Sequence, residues 1–213
     1  MAFSSNPWPD GVDVSDAADT PQPTSMDHYY LQFWPWACVA DGEDFLRASS
    51  EYAAITKALR ITPHSEWIEK RKLAQAHMEL AKYHFVSTMG SLLRHMKPTH
   101  SLFPDIKSAW DKAQHLQKEG KDLRDMIEHS DQYRAGEGRK QDSFFREPEG
   151  APLNLPGDRP GIADATSLIV KSDGHWLGGR LNVERIVAEA RLILSEAEKI
   201  SAPVPHRAPR PIG

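Results

Sequence analysis

Between Leu123 and Tyr133 the chain reads Leu-Arg-Asp-Met-Ile-Glu-His-Ser-Asp-Gln-Tyr, which puts a permanent cation, a titratable ring and several carboxylates within about three turns of an expected helix. Asp125 and His129 stand at i and i+4. A carboxylate one turn before an imidazole can accept its ring N–H, fix the tautomer and raise its basicity, leaving the other nitrogen free to move a proton. Arg124 sits about 140° around the helix from His129, but its long stem can carry a planar five-donor fork back to the same groove, where it suits a phosphate. An anion clamp beside a titratable acid or base is the equipment that in-line attack on a phosphodiester needs. Arg124 and His129 are therefore the candidate catalytic residues, with Asp125, Glu128 and Tyr133 in support. No metal-ligand set accompanies them and no cofactor is implied. The natural nucleophile is then the ribose 2′-OH, which makes RNA the substrate. Lys121, Arg134, Arg139 and Lys140, with Lys118, add local positive charge for RNA binding, and a two-fold homodimer would double the set.

Spacing alone does not single out this segment. With four to six intervening residues allowed, Arg71 to His77 and Arg94 to His100 also match. Arg94 is set aside because Pro98 is expected to break its helix, and Arg71 because a lysine follows it.

The elements that must position these groups are helical. Phe45, Tyr52, Ile55 and Leu59 recur at helical spacing and predict a first helix over 41–59, stopped by Pro63. A second helix is expected over 65–96, capped by Ser65, with Trp67, Leu73, His77, Leu80, His84, Met89, Leu92 and Met96 inward, ending at Pro98. A third runs from about 101 or 104 to 133, with Gly136 and Gly138 ending it. Asn182 caps a last helix whose buried face is Val183, Ile186, Val187, Ala190, Ile193, Leu194 and Ala197. Before it, 165–181 reads as a small β-hairpin turned by Asp173-Gly174. Residues 139–164, rich in Pro and Gly, read as a long loop. The expected fold is all-α: an antiparallel four-helix bundle over 28–200 with a hairpin before the last helix. Residues 1–27 read as a disordered segment and 201–213 as an extended tail.

With 213 residues there is room for one core, and a single cysteine, Cys38, allows neither an internal disulfide framework nor a cysteine-rich zinc site. No apolar run is long enough to span a bilayer and the start lacks a signal-peptide pattern, so the expectation is a cytoplasmic protein with no membrane partner. A net charge of −4 argues against non-specific coating of nucleic acid and leaves room for a local basic pocket.

The arrangement Arg-polar-x-x-x-His late on a long helix, followed by Gly136-x-Gly138, resembles the HEPN superfamily, closely over 123–138 and loosely over 65–138. That resemblance implies a dimer of helical bundles whose paired Arg and His line a cleft. It implies Arg124 as phosphate and transition-state binder, His129 as general acid/base and Asp125 at the polar position after the arginine. It also implies a place in a bacterial toxin-antitoxin or defence system, with a protein antitoxin as partner and metal-independent endoribonuclease activity in active members. The rival reading is a non-catalytic helical scaffold that binds a protein partner through the Tyr29 to Trp36 aromatics and the hairpin. His77 and His84, seven residues apart on the same face of the second helix, read as buried, hydrogen-bonded histidines and not as metal ligands. Gly178-Gly179 lacks the spacing of a phosphate loop and reads as a bulge or close backbone approach.

Overall fold

A computed structural model describes residues 23–61, 65–146, 154–155, 159–160 and 162–200. The expectations for 1–22, for the 201–213 tail and for much of the 139–164 loop lie outside them. The described residues are mostly helical, in seven helices, with short antiparallel strand pairs between the sixth and the seventh.

The first helix begins earlier than the apolar spacing suggests. α1 (Ser25–Ile61) takes in the whole aromatic segment and passes through Pro35. Its start is a capping box: Thr24 N–H donates to Asp27 Oδ2 at 2.8 Å, and Asp27 N–H donates to Thr24 Oγ1 at 3.2 Å. Residues 25–27, expected to be disordered, are ordered by that exchange. Within the segment Tyr30 and Trp34 stack on His95 of the next helix, with ring centroids at 4.9 and 5.3 Å. Burial, and secondarily the Arg94 charge, lowers the His95 pKa from its usual value.

α2 (Ser65–Leu102) continues through Pro98 instead of stopping there. Proline deletes one backbone hydrogen bond and crowds the carbonyl four residues back. Here side chains serve the surrounding carbonyls: Thr99 Oγ1 donates to His95 O at 2.5 Å, Ser101 Oγ donates to Pro98 O at 2.6 Å, and His100 Nδ1 lies 3.1 Å from Met96 O. The buried face also differs from the expected stripe. Leu73, Leu80, His77 and His84 are exposed, while Ala74, Met78, Ala81, Phe85, Val86, Met89, Leu92 and Met96 are buried. Both sets have helical spacing; the inward set is the one that meets α1, where Phe85 stacks on Phe45 at 6.1 Å.

The expected third helix is three pieces: α3 (Pro104–Lys112), α4 (Gln114–Glu128) and α5 (Ser130–Arg134). The first break, at the buried Ala113, is held from α7 (Val183–Ala197): Glu189 accepts from the His115 and Leu116 N–H groups at 3.4 and 2.8 Å, capping α4 from a distant part of the chain. A carboxylate at a helix N-terminus satisfies free N–H donors and opposes the helix dipole. α7 itself matches expectation. Asn182 Oδ1 accepts from Arg185 N at 2.8 Å, and Val183, Ile186, Val187, Ala190, Ile193 and Ala197 are buried; Leu194 is half-buried.

Short pairs occupy part of the expected loop. After α6 (Gln141–Phe144), β1 (Phe145–Arg146) pairs with β4 (Ala163–Asp164), and β2 (Asn154–Leu155) with β3 (Arg159–Pro160). The hairpin is β5 (Leu168–Lys171) with β6 (Gly174–Leu177), joined by Ser172-Asp173, so the turn sits one residue earlier than expected. β7 (Leu181–Asn182) adds a third, unforeseen strand. Gly178 and Gly179 between β6 and β7 have φ of +58° and +64°, and a Cβ on Gly178 would come within 2.9 Å of Leu123 Cδ1, the close approach read from the sequence. Buried Lys82 ties this layer to α2 by donating to Thr166 O at 3.1 Å.

Candidate nucleic-acid interface

Arg124 lies across α2 on a platform made by a missing side chain. A Cβ on Gly90 would sit 2.3 Å from Arg124 Cδ and 3.1 Å from both Cγ and Nε. Only glycine at that turn lets the stem lie flat. Its Nη2 donates to Glu128 Oε2 at 2.5 Å, an i,i+4 pair in which both side chains are about a quarter exposed. That hydrogen bond, with the charges of Glu128 and Asp125, outweighs desolvation, which acts to lower the guanidinium pKa, and holds it above its already high usual value. Nε is shielded from solvent and has no hydrogen-bond partner among the described residues, so one donor of the fork is unspent.

The expected bond between Asp125 and His129 is replaced by another. Asp125 Oδ2 accepts from the Tyr133 hydroxyl at 3.0 Å. Tyr133 is buried, stacks on Phe144 at 5.2 Å and leaves no room for a Cβ on Gly138. His129 is not on a helix. It occupies the junction between α4 and α5, with φ −117° and ψ 32°, and its ring is exposed. Its backbone N–H donates to Asp125 O at 3.1 Å, but among the described residues no hydrogen bond joins its ring to the side chain of Arg124 or Asp125. The break in the helix, which sequence periodicity does not signal, separates what the spacing aligns.

The expected RNA-binding cations also divide. Lys140 is tied to Asp122 at 2.5 Å, and Arg134 reaches Thr166 Oγ1 at 3.2 Å and Asp164 at 3.7 Å. Arg139 and Lys121 are exposed and make no ion pair among the described residues. Lys121 belongs with Arg124 to a cavity of about 680 Å³ between α2, α3 and α4. Its α2 wall carries Gly90, Arg94, Lys97 and His100, of which Arg94 and His100 are the spacing match set aside above and Gly90 and Lys97 carry no sequence signal. The Arg94 to His100 spacing carries the signal, and α2 runs on through Pro98 to keep both residues on one wall.

Comparison with protein-family models, with curated proteins and with solved structures returns no match. The site is thus defined by its geometry. Among the described residues, no three His, Cys, Asp or Glu side chains come together in a way that could hold a metal ion, and no helix is long and apolar enough to cross a membrane. What the arrangement offers chemically is an arginine fork beside an open cationic cavity, with a solvent-facing imidazole at the end of the same helix.

Proposed function

We propose that the protein binds RNA in the manner of a HEPN-type helical domain, with Arg124 as the phosphate contact nearest His129. The observation that carries this reading is the placement of Arg124: it opens onto a cavity whose walls carry three more cations, on a chain whose net charge is −4. A local excess of cations against an acidic background favours a specific polyanion over general adsorption. In a homodimer the second copy would supply another Arg124 and His129, and cleavage would then follow from 2′-oxygen attack on the adjacent phosphorus. One imidazole takes the 2′ proton and the other protonates the leaving 5′ oxygen.

Binding is better supported than cleavage, because Tyr133 occupies Asp125, the acceptor expected to orient the His129 ring. The deciding assay incubates several single-stranded RNAs with the wild type, Arg124→Ala and His129→Ala in the presence of a chelator. Cleavage by the wild type alone supports a nuclease. Binding without cleavage, weakened by Arg124→Ala, supports an RNA-binding protein. Absence of both, in folded protein, removes the reading.

The scaffold reading also has an observation of its own. Tyr29 and Trp36 are 53% and 57% exposed and line, with Phe33 and Leu194, a shallow cleft beside α7. An exposed aromatic surface of this kind suits a protein partner. It lies on a different part of the molecule from the cationic cavity, so the two readings do not compete for residues.

A further inference from the structure

The cavity between α2 and α4 has more cations than one phosphate at Arg124 would use. Arg94 and Lys97 stand at i and i+3 on α2, and Lys121 and Arg124 at i and i+3 on α4, so each wall presents two cations about 4.5 Å apart along its axis. Lys97 and Lys121 make no ion pair among the described residues. Among the described residues the Arg94 side chain donates only to the Ser91 hydroxyl, at 3.3 Å. Among the described residues Asp111 is the single carboxylate in the lining, and its charge is met from outside by Lys107 at 2.6 Å. Arg94, Lys97 and Lys121, unlike the Glu128-paired Arg124, have no carboxylate partner among the described residues; like charges around one cavity repel, and an anion among them removes the repulsion. Leu93 and the half-exposed ring of His100, stacked on the buried Trp110 at 6.2 Å, give the same cavity an apolar edge. A volume of about 680 Å³ has the dimensions of an ordinary ligand site.

We infer that this cavity is a phosphate-binding track for the single strand leading away from Arg124, with Arg94, Lys97 and Lys121 neutralising successive phosphodiesters. The inference rests on the RNA reading above. A single strand fits where a duplex does not: a flexible backbone can lower its phosphates between two packed helices, whereas a rigid duplex carries them on a convex surface. Cationic grooves that follow the backbone, with ring faces or apolar groups beside them, are the general solution for single strands.

The test is fluorescence anisotropy of a labelled oligouridine with the full chain over a range of KCl concentrations. Arg94→Gln/Lys97→Gln is compared with Lys70→Gln/Lys72→Gln, which removes the same charge from the same helix about 36 Å away. The groove variant is expected to bind at least about tenfold more weakly, with the slope of log affinity against log salt shallower by roughly 1.4, the value for two lost phosphate contacts on a single strand. The distant variant should change affinity less than about threefold. Equal effects of the two variants overturn the track. So does binding that Arg124→Ala abolishes and the groove variant leaves intact, an outcome in which the RNA reading survives. A second titration uses tripolyphosphate alone. Uptake that the groove variant loses, without any strand binding, overturns the RNA reading and assigns the cavity to a free polyphosphate. No binding of either probe overturns both.

Discussion

Gly90→Ala separates the pose of Arg124 from the stability of the fold. The added methyl would stand 2.3 Å from Arg124 Cδ, far inside contact distance, so the arginine stem must lift away from α2. Alanine in a helix interior is favoured over glycine by about 1 kcal/mol. Lifting the stem breaks the pair with Glu128, an i,i+4 ion pair with both partners partly shielded, which contributes roughly 0.5–1 kcal/mol. The two effects nearly cancel, and the expected change in unfolding free energy is within about 0.5 kcal/mol of zero. Urea denaturation measures it, and a double-mutant cycle shows its cause. Glu128→Gln should cost roughly 0.5–1 kcal/mol in the wild type and close to nothing in the Gly90→Ala background, where the pair is already open. RNA binding in the same protein should change while the fold holds. A loss above about 2 kcal/mol, of the size caused by overpacking a core, would mean that Arg124 cannot move and would refute the reasoning. So would an equal cost of Glu128→Gln in both backgrounds.

Three further substitutions test the surroundings of the site. Tyr133→Phe removes the hydroxyl that donates to Asp125 and should cost about 1–2 kcal/mol near neutral pH. Burial, followed by the Asp125 hydrogen bond and charge, raises the phenol pKa; the stability this group contributes is complete below about pH 10 and is lost as pH rises through the folded value, so the gap between wild type and variant should narrow in urea melts taken towards pH 11. At Asp164 desolvation pushes the pKa up, but the Thr166 and Ser167 hydroxyls, the Thr166 N–H and Arg134 outweigh it and leave the carboxyl below its usual range. Its contribution is therefore present above about pH 4 and lost as pH falls through the folded value; Asp164→Asn should flatten the acid limb of the stability profile, and an unchanged limb would contradict this. Asn182→Ala loses the cap on Arg185 N and the donation to Asp173 O, and should lower stability by about 2 kcal/mol in thermal or urea melts, with Asn182→Asp recovering part of it by keeping the capping oxygen.

Where a single face of an element carried the apolar residues, the sequence was sufficient. α7 is such a case: one cap and one stripe, with no competing face. α2 is the opposite case. Leu73, His77, Leu80 and His84 form a helical stripe as regular as that of Met78, Phe85, Met89, Leu92 and Met96, and which stripe is buried depends on where α1 lies, which local spacing does not encode. The division of the third helix at Ala113 depends on Glu189, a carboxylate from α7 that caps α4. The candidate site was legible in residue type and not in partnership. Arg124, Asp125 and His129 are all near one another in the chain, but the Tyr133 hydroxyl, carried back by α5, takes the acceptor that the i,i+4 rule assigns to His129.

Pro98 has the largest consequence for the candidate site. A proline inside an apparent helix argues for a break, and here Thr99, His100 and Ser101, within three residues of it, bond the neighbouring carbonyls of His95, Met96 and Pro98 in the turn that continues. Because α2 runs on, Arg94, Lys97 and His100 share a wall, and that wall faces Lys121 and Arg124. A two-fold dimer would double the single Arg124 and His129 that one chain supplies. Within one chain, two helices already place four cations around one cavity. Charge for binding therefore does not require a second copy. What a second copy would add is a second imidazole, so binding and cleavage make different demands on assembly. Monomeric protein at low concentration should retain the salt-dependent affinity for a single strand, and any cleavage should rise with the square of protein concentration below the dimer dissociation constant. A cleavage rate strictly proportional to concentration across that range would place both functions in the single chain.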